Sequence, residues 1–374
     1  MLRYLTAGES HGRCLVAILE GLPAGLKVDE EIINLDLRRR QLSIGRGPRM
    51  AIEYDTIQIL SGLRKKVTIG SPIALLIENE DTSINSLPSV TRPRPGHADL
   101  GGVVKYDRSD IRDVLERASA RETAIRVALG GVCKILLDAF DIEILSHVVE
   151  LGGIKAHVGG LDYEELKKRT LKSSLNCVDK RAEKEMIKKI EAVGKSGNTL
   201  GGVCEIIAVG VPVGLGSYAH SDRRLDARIA GALMSIQAIK GVEIGPGFRS
   251  AALLGSEVHD EIIYDRKKGF SRKTNSAGGI EGGITNGQPV VVRIAMKPIA
   301  TLGKPLSSVD IKTKQKVKAQ VERHDICAVA AAGVVGEAVL AFELADAMTE
   351  KFGGDSLSEM KRNYDGYIRQ VKSF

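Results

Sequence analysis

Three histidines stand in segments whose neighbouring residues suit anion binding and proton transfer. These segments read Gly-Glu-Ser-His-Gly at 8–12, Arg-Pro-Arg-Pro-Gly-His-Ala-Asp at 92–99 and Glu-Arg-His-Asp at 322–325. Loops often carry functional side chains, and an imidazole titrates near neutral pH. The segments therefore indicate a site for an anionic ligand. The other histidines lack such neighbours and are predicted to be ordinary surface or hydrogen-bonded residues: His147, His157, His220 and His259.

The basic character of the chain allows two kinds of partner, a nucleic acid or a small polyanion. The net charge is +7 and the pI is about 9.0. Single-strand binders stack bases on aromatic rings, but the chain has no Trp, six Phe and eight Tyr, so a small anion is favoured. The arginines are grouped in turns rather than in a basic tail: Arg38, Arg39, Arg40, Arg46, Arg49, Arg92, Arg94, Arg117, Arg121 and Arg323.

The segment from Arg117 to Thr123 is the best candidate for a phosphate site. Ser119 and Glu122 have the spacing of a capping box, which would place free backbone N–H groups beside two arginines. An ordinary capped helix with exposed arginines fits the same pattern, so both interpretations stay open.

Three further residues have ordinary interpretations. Arg40 follows Asp36 at helical i, i+4 spacing, which by default predicts a solvated, salt-bridged face, with a phosphate clamp as the alternative. Asp325 could be the N-cap of a following helix, and Lys297 could end an edge strand.

The periodicity of apolar residues predicts one α+β domain spanning residues 1–374, with a charged helical excursion near 160–198. Helices are predicted over 119–139, 222–239 and 325–352, and polar loops at 41–49, 78–102, 265–287 and 301–316 are candidate lids. Strands are predicted over 2–6, 52–60, 71–77, 142–151, 204–211 and 290–296.

Composition and local motifs indicate further what kind of protein this is. With 374 residues, 43% apolar content and a mean hydropathy of −0.04, we expect a soluble globular protein. The sequence has no apolar run long enough for a membrane helix and no signal peptide pattern, so a cytoplasmic location is expected. The five scattered cysteines predict neither disulfides nor a structural metal. Neither dinucleotide nor P-loop glycine fingerprints occur.

Taken together and in order, the motifs resemble those of the chorismate synthase family. The resemblance runs from end to end. Its further segments are Arg-Arg-Arg-Gln at 38–41, Gly-Arg-Gly at 45–47, Arg-Ala-Ser-Ala-Arg-Glu-Thr-Ala at 117–124, Ile-Gln-Ala-Ile-Lys-Gly-Val-Glu-Ile-Gly at 236–245, Asn-Ser-Ala-Gly-Gly-Ile-Glu-Gly-Gly at 275–283 and Lys-Pro-Ile-Ala-Thr-Leu at 297–302.

The resemblance implies anti 1,4-elimination of phosphate from 5-enolpyruvylshikimate 3-phosphate, which gives chorismate in the last step of the shikimate pathway. It also implies reduced FMN as cofactor, a β-α-β sandwich of antiparallel sheets enclosing helices, and a homotetramer. Neither a membrane nor a nucleic acid is an expected partner. The flavin is reduced either by the chain itself with NADPH or by a separate flavin reductase, and the sequence leaves both open.

The resemblance also assigns residues. His11 would protonate the leaving phosphate, His97 would lie near the electron-rich end of the flavin, and Asp325 near its N5. Arg40, Arg46, Ser10 and Arg49 match substrate or NADP positions. The FMN positions are Arg117, Ala118, Ser119, Gln237, Ala238, Gly282, Lys297, Pro298, Ile299, Ala300, Thr301 and Arg323. Ala300 stands where the family pattern has Pro, which loosens the loop slightly but removes no polar contact.

Two other classes are alternatives at this stage. A flavin-dependent NADPH oxidoreductase would use the same flavin positions but would oxidise the flavin in proportion to substrate. A nucleic-acid-binding protein would explain the pI but not the histidine motifs, and its binding would depend steeply on salt.

Overall fold

The computed structural model describes residues 1–47, 54–266, 269–322 and 324–374. Its two larger sheets are antiparallel throughout, with strand orders β1-β2-β6-β3 and β10-β15-β9-β7-β8. Four two-stranded ladders complete the strand pairing: β4-β5, β11-β12, β13-β14 and β16-β17. The strands are β1 (Arg3–Ala7), β2 (Cys14–Glu20), β3 (Gln58–Ile59), β4 (Leu63–Arg64), β5 (Val67–Thr68), β6 (Ile73–Glu78), β7 (Glu143–Leu151), β8 (Ile154–Lys155), β9 (Gly202–Val209), β10 (Ile239–Ile244), β11 (Ile262–Asp265), β12 (Gly269–Arg272), β13 (Ile280–Glu281), β14 (Ile284–Thr285), β15 (Val290–Met296), β16 (Ser307–Val309) and β17 (Lys316–Lys318).

Two long helices, α4 and α9, form the centre of the apolar core. Both are buried on nearly every face, as expected of helices that are apolar all round. They pack against each other, while α4 also contacts β2 and β6, and α9 contacts β7, β9 and β15. The helices are α1 (Glu30–Gln41), α2 (Asp99–Tyr106), α3 (Arg112–Ala118), α4 (Thr123–Asp138), α5 (Tyr163–Leu171), α6 (Lys180–Lys195), α7 (Leu225–Met234), α8 (Gly255–Val258), α9 (Val329–Phe352) and α10 (Leu357–Ser373).

Gly130 allows α4 and α9 to approach closely, and this makes a testable prediction. A Cβ at Gly130 would lie 2.3 Å from Ala338 Cβ and 2.4 Å from Ala338 Cα, so the helix backbones would have to separate. We expect Gly130→Ala to lower the free energy of unfolding by about 1–3 kcal/mol, measured by urea denaturation.

The matched control is Gly231→Ala in α7, where an added Cβ meets no atom within 4 Å. Alanine is the better helix former, so this variant should gain up to about 1 kcal/mol. Equal changes at Gly130 and Gly231 would contradict a packing role for Gly130.

Most sequence-predicted elements are present. The strand predicted at 290–296 is confirmed to the residue, and the excursion at 160–198 contains the helices α5 and α6. The strand predicted at 52–60 is wrong over its described part, where only Gln58–Ile59 pairs, and residues 52 and 53 lie outside the described residues. The helix predicted at 222–239 begins at Leu225 and ends at Met234, because Ile239 already pairs with Met296 in a sheet.

Several elements were not predicted from the sequence, among them β2, β10 and α10. In β2, Leu15, Ala17 and Leu19 face the core. The intervening Val16 and Ile18 are also apolar, so the alternation that marks a half-buried strand is hidden.

Candidate active site

A cavity of about 390 Å³ lies where several loops and helix ends meet. That volume is within the range of about 300–1,000 Å³ typical of small-molecule sites. We call it the central cavity. Its lining residues are Arg40, Arg46, Gly47, Arg94, Gly96, His97, Ala98, Ala118, Ser119, Ala120, Arg121, Thr123, Ile236, Gln237, Ala238, Met296, Lys297, Ile299, Ala300, Thr301, His324, Asp325, Ala328, Ala331, Ala332 and Val335.

His97 is held in the central cavity by a buried carboxylate. Its Nδ1 lies 2.5 Å from Oδ1 of Asp99, which is fully buried. Arg94 binds the same carboxylate through Nε at 2.8 Å and Nη2 at 3.0 Å, and its Nη1 donates to Thr301 at 2.8 Å. Burial raises the pKa of Asp99, but the hydrogen bonds from His97 and Arg94 outweigh burial and hold that pKa well below its usual range. Because the ionised carboxylate only accepts, Nδ1 carries a proton, and Nε2 is the other ring nitrogen, which lies 3.4 Å from Arg94 Nη2.

Asp325 is positioned by Arg46 and Gly47, which follow α1 in the chain. Its Oδ1 accepts a hydrogen bond from the Gly47 backbone N–H at 2.6 Å, and its Oδ2 lies 2.9 Å from Arg46 Nη1. A side chain at Gly47 would meet the His324 carbonyl oxygen at 2.5 Å, so glycine is needed for this approach. The N-cap interpretation of Asp325 is wrong, because α9 begins at Val329 and Ala328 is its N-cap residue.

Arg40 lines the central cavity and does not lie on a solvated helix face. Its side chain is 4% exposed, and its Nη1 lies 3.2 Å from Asp55, not from Asp36. Asp55 also accepts from Arg121 at 2.5 Å, so one buried carboxylate holds two cavity arginines. Burial outweighs the attraction of Asp55 and lowers the pKa of Arg40 to about 10, which leaves the side chain cationic at neutral pH. The prediction that Arg40 lies on a solvated, salt-bridged face is therefore wrong, because Arg40 lies where α1 meets the core.

The segment 117–123 contributes to the cavity without forming the expected capping box. Ser119 accepts from the Arg121 backbone N–H, but the Glu122 side chain binds Thr6 and Gln237. Ala118 and Ser119 line the central cavity with Arg121. Arg117 is not among the lining residues, because its guanidinium donates to backbone carbonyls of the first strand and the turn after it.

His11 lies near the central cavity but is not among its lining residues. Its Nδ1 lies 2.8 Å from Glu116, which also accepts from Arg112 at 3.1 Å. Burial raises the pKa of Glu116, but the hydrogen bond from His11 and the contact with Arg112 outweigh it and lower that pKa. Ser10, beside His11, is buried and lies 3.3 Å from Ser119 Oγ, which connects this pair to the cavity wall.

The segment 297–301 forms one wall. Lys297, Ile299, Ala300 and Thr301 line the cavity, whereas Pro298 does not. The edge-strand interpretation of Lys297 is wrong, because β15 pairs on both sides and the Lys297 Nζ donates to the Gly96 carbonyl.

Some of the remaining predicted FMN and substrate positions line the central cavity and others do not. Gln237 and Ala238 line the cavity, whereas Gly282 lies between β13 and β14, outside it. Arg49 and Arg323 lie outside the described residues.

Several residues that line the central cavity, or that hold its lining side chains, were missed as site residues. Arg94 and Asp99 belong to the motif that was noted for His97, so a signal existed. Asp55 had none, because a single aspartate in a loop is not distinctive. Ala331, Ala332 and Val335 come from the first turns of α9, whose small side chains leave room for a ligand. Their spacing resembles that of ordinary core residues.

The described lining is strongly cationic. Five side chains are cations and one is a carboxylate: Arg40, Arg46, Arg94, Arg121 and Lys297 against Asp325. Such a cavity favours an anion with several charged groups. Among the described residues, no group of three His, Cys, Asp or Glu is placed to hold a metal ion. Within the same residues, no helix has the length and apolar content to span a bilayer.

Known proteins resemble this chain along its whole length. The family model described as chorismate synthase matches residues 2–349. A chorismate synthase from Geotalea daltonii is 58% identical and one from Geobacter sulfurreducens 57%, each with 100% of both chains covered. A solved structure described as a crystal structure of chorismate synthase has a TM-score of 0.83 and 46% identity. The match covers 100% of this chain and 99% of that one.

Proposed function

Because the chain belongs to the chorismate synthase family, we propose that the central cavity holds reduced FMN and the substrate of that family side by side. The activity itself follows from family membership. The chain is a lyase that eliminates phosphate from 5-enolpyruvylshikimate 3-phosphate to give chorismate in the shikimate pathway.

The observation that carries the proposal is that one cationic cavity contains two side chains that can transfer protons, His97 and Asp325, each fixed by hydrogen bonds. The substrate bears a phosphate and two carboxylates, and arginine pairs well with all three. His97 and Asp325 line the same cavity. The buried Asp99 orients His97, and the Gly47 N–H and Arg46 orient Asp325.

The lining also fits a flavin. Ile236, Met296, Ile299 and Val335 supply apolar surface for a flat ring system. Gln237 offers a buried Oε1 that has no hydrogen-bond partner within the described part of the chain. Bound reduced FMN would supply electron density to the substrate transiently, without net oxidation.

The chain's own residues would orient and neutralise the substrate and move protons. The cavity arginines would hold the phosphate and the carboxylates, with Arg40 and Arg121 fixed by Asp55. The Asp325 carboxylate would assist removal of the substrate proton, and the His97 Nε2 would hold a proton facing developing negative charge. His11 would protonate the departing phosphate from just beyond Ser10.

The test is anaerobic phosphate release from 5-enolpyruvylshikimate 3-phosphate with catalytic amounts of either reduced or oxidised FMN. Multiple turnovers with reduced FMN alone, and no lasting flavin oxidation, support the proposal. No release from enzyme that has bound reduced FMN would overturn it.

The histidine roles give a separate prediction. With saturating reduced FMN, we expect His97→Ala and His11→Ala each to lower anaerobic kcat by about 10²–10³-fold, because each removes a donor facing developing charge. His259→Ala, in an exposed segment, is the matched control and should leave kcat unchanged. Near-normal kcat values for both His97→Ala and His11→Ala would contradict these assignments.

We propose the finer family properties on the same basis. These are a β-α-β sandwich arrangement of the two sheets as a single domain, a homotetramer, a cytoplasmic location, and flavin reduction by NADPH or by a separate reductase. Sedimentation of the purified chain tests the tetramer, and NADPH-driven turnover without added reductase tests the source of electrons.

A further inference from the structure

Arg126 differs from the other buried arginines of the described chain. Four of them form ion pairs with carboxylates: Arg40 and Arg121 with Asp55, Arg94 with Asp99, and Arg112 with Glu116 and Glu322. Arg126 is only 8% exposed, yet no carboxylate of the described residues lies within ion-pair distance of it. Buried charges are costly unless they are paired, so this position calls for a counter-charge.

The contacts of Arg126 are neutral and incomplete. Its Nη2 donates to Ser235 Oγ at 2.7 Å and to Tyr4 Oη at 3.3 Å, and its other N–H groups make no hydrogen bond to the described residues. Glu122 precedes it by one helical turn but is turned away. The two Glu122 oxygens accept instead from Thr6 Oγ1 at 2.9 Å and Gln237 Nε2 at 3.2 Å.

These residues surround a second cavity of about 380 Å³, which we call the side cavity. Arg117 lines it as well, and among the described residues its guanidinium contacts Thr6 and the Gly8 carbonyl and no carboxylate. Two guanidiniums therefore face one carboxylate that is already engaged, and the net charge of the lining is positive.

Gln237 stands between the two cavities and lines both. Because its Nε2 faces the acceptor-only Glu122, its Oε1 is the other amide atom, and this buried oxygen has no hydrogen-bond partner among the residues that the structure describes. A protonated phosphate oxygen could donate to Oε1 while the other phosphate oxygens accept from the two arginines.

We propose that the side cavity is a phosphate-binding site in which Arg126 is the principal ligand and Arg117 the second. This inference rests on the unpaired arginine and does not require the proposed reaction. The phosphate is either free or the end group of a flavin that reaches past Gln237.

The test is calorimetric titration of the whole protein with inorganic phosphate at constant ionic strength set by chloride. We expect one class of phosphate binding to weaken by about ten- to a hundredfold in Arg126→Gln, because a charge-assisted contact is lost. Arg181→Gln, at an arginine that is 92% exposed, is the matched control and should bind phosphate as the parent protein does.

A second variant covers the case in which Arg126→Gln fails to fold. Ser235 is exposed, so Ser235→Glu should be tolerated and would place a carboxylate on the Arg126 guanidinium. It should abolish the same class of phosphate binding without removing the arginine. Unchanged phosphate binding in these variants, or no phosphate binding by the parent protein, overturns the proposal.

The source of the phosphate is distinguished by repeating the titration with flavin bound. If FMN abolishes this class of binding and riboflavin does not, the flavin phosphate occupies the side cavity. If neither flavin abolishes it, the site takes a separate phosphate. Both results support the site and differ only in its occupant.

Discussion

Asp325→Asn is expected to lower the anaerobic kcat by about 10²–10⁴-fold at saturating substrate and reduced FMN, the range attributed to a positioned general base. Asparagine keeps an oxygen that can accept from the Gly47 N–H at 2.6 Å, so the loop should keep its conformation. It loses the charge that faces Arg46 and the capacity to take a proton. The measurement is phosphate release in single- and multiple-turnover experiments.

Flavin affinity separates a chemical role from a structural one. Reduced FMN should bind Asp325→Asn within a few-fold of the parent value, while Asp365→Asn, on an exposed surface of α10, should change neither quantity. A normal kcat for Asp325→Asn would exclude the proton-transfer role. A loss confined to flavin affinity would show that the carboxylate only shapes the cavity.

Glu337→Gln is expected to lower the free energy of unfolding by about 3–5 kcal/mol at pH 7, the cost of breaking a buried ion pair. Glu337 is fully buried on α9 and accepts from both Nη atoms of Arg39, at 2.8 and 2.7 Å. Lys134 Nζ lies 2.6 Å away, and Ser146 donates through its backbone N–H and its hydroxyl. A neutral amide would leave two partly buried cations with less compensation, and urea denaturation measures the loss.

The same carboxylate predicts a pH dependence. Burial raises the pKa of Glu337, but the charges of Arg39 and Lys134 outweigh it, so the folded pKa lies below the ordinary value of 4.5. A lowered folded pKa contributes stability above pH 4.5 that is lost as the pH falls toward the folded value. The difference between the parent and Glu337→Gln should therefore shrink below about pH 4.5. The control Glu191→Gln, exposed on α6, should stay within about 0.5 kcal/mol at every pH.

The kcat of folded Glu337→Gln should stay close to the parent value although its free energy of unfolding falls, because Glu337 is not among the residues that line the central cavity. If the variant unfolds like the parent protein at pH 7, the buried cluster carries little net stability. That result would mean that the cluster around Glu337 selects how α1, α4 and α9 pack together and adds little to the free energy of unfolding.

The sequence by itself determined the family, the α+β class of the fold and the reaction that the family carries out. The motifs around His97, residues 117–124 and residues 297–302 are specific because each needs particular polar side chains and glycines within a few positions. Long apolar helices such as α9 were also predictable, because helical periodicity is a local property.

Only the tertiary structure decided which charges meet. Asp55 lies 15 residues from Arg40 and 66 from Arg121 in the chain, and no local pattern indicates that it holds both. Likewise, Arg40 is a buried cavity residue and not the expected surface residue, and the Glu122 side chain binds Thr6 and Gln237 instead of completing a capping box with Ser119. The physical reason is that burial and ion pairing depend on contacts between distant segments, which form only when α4 and α9 pack together with the sheets.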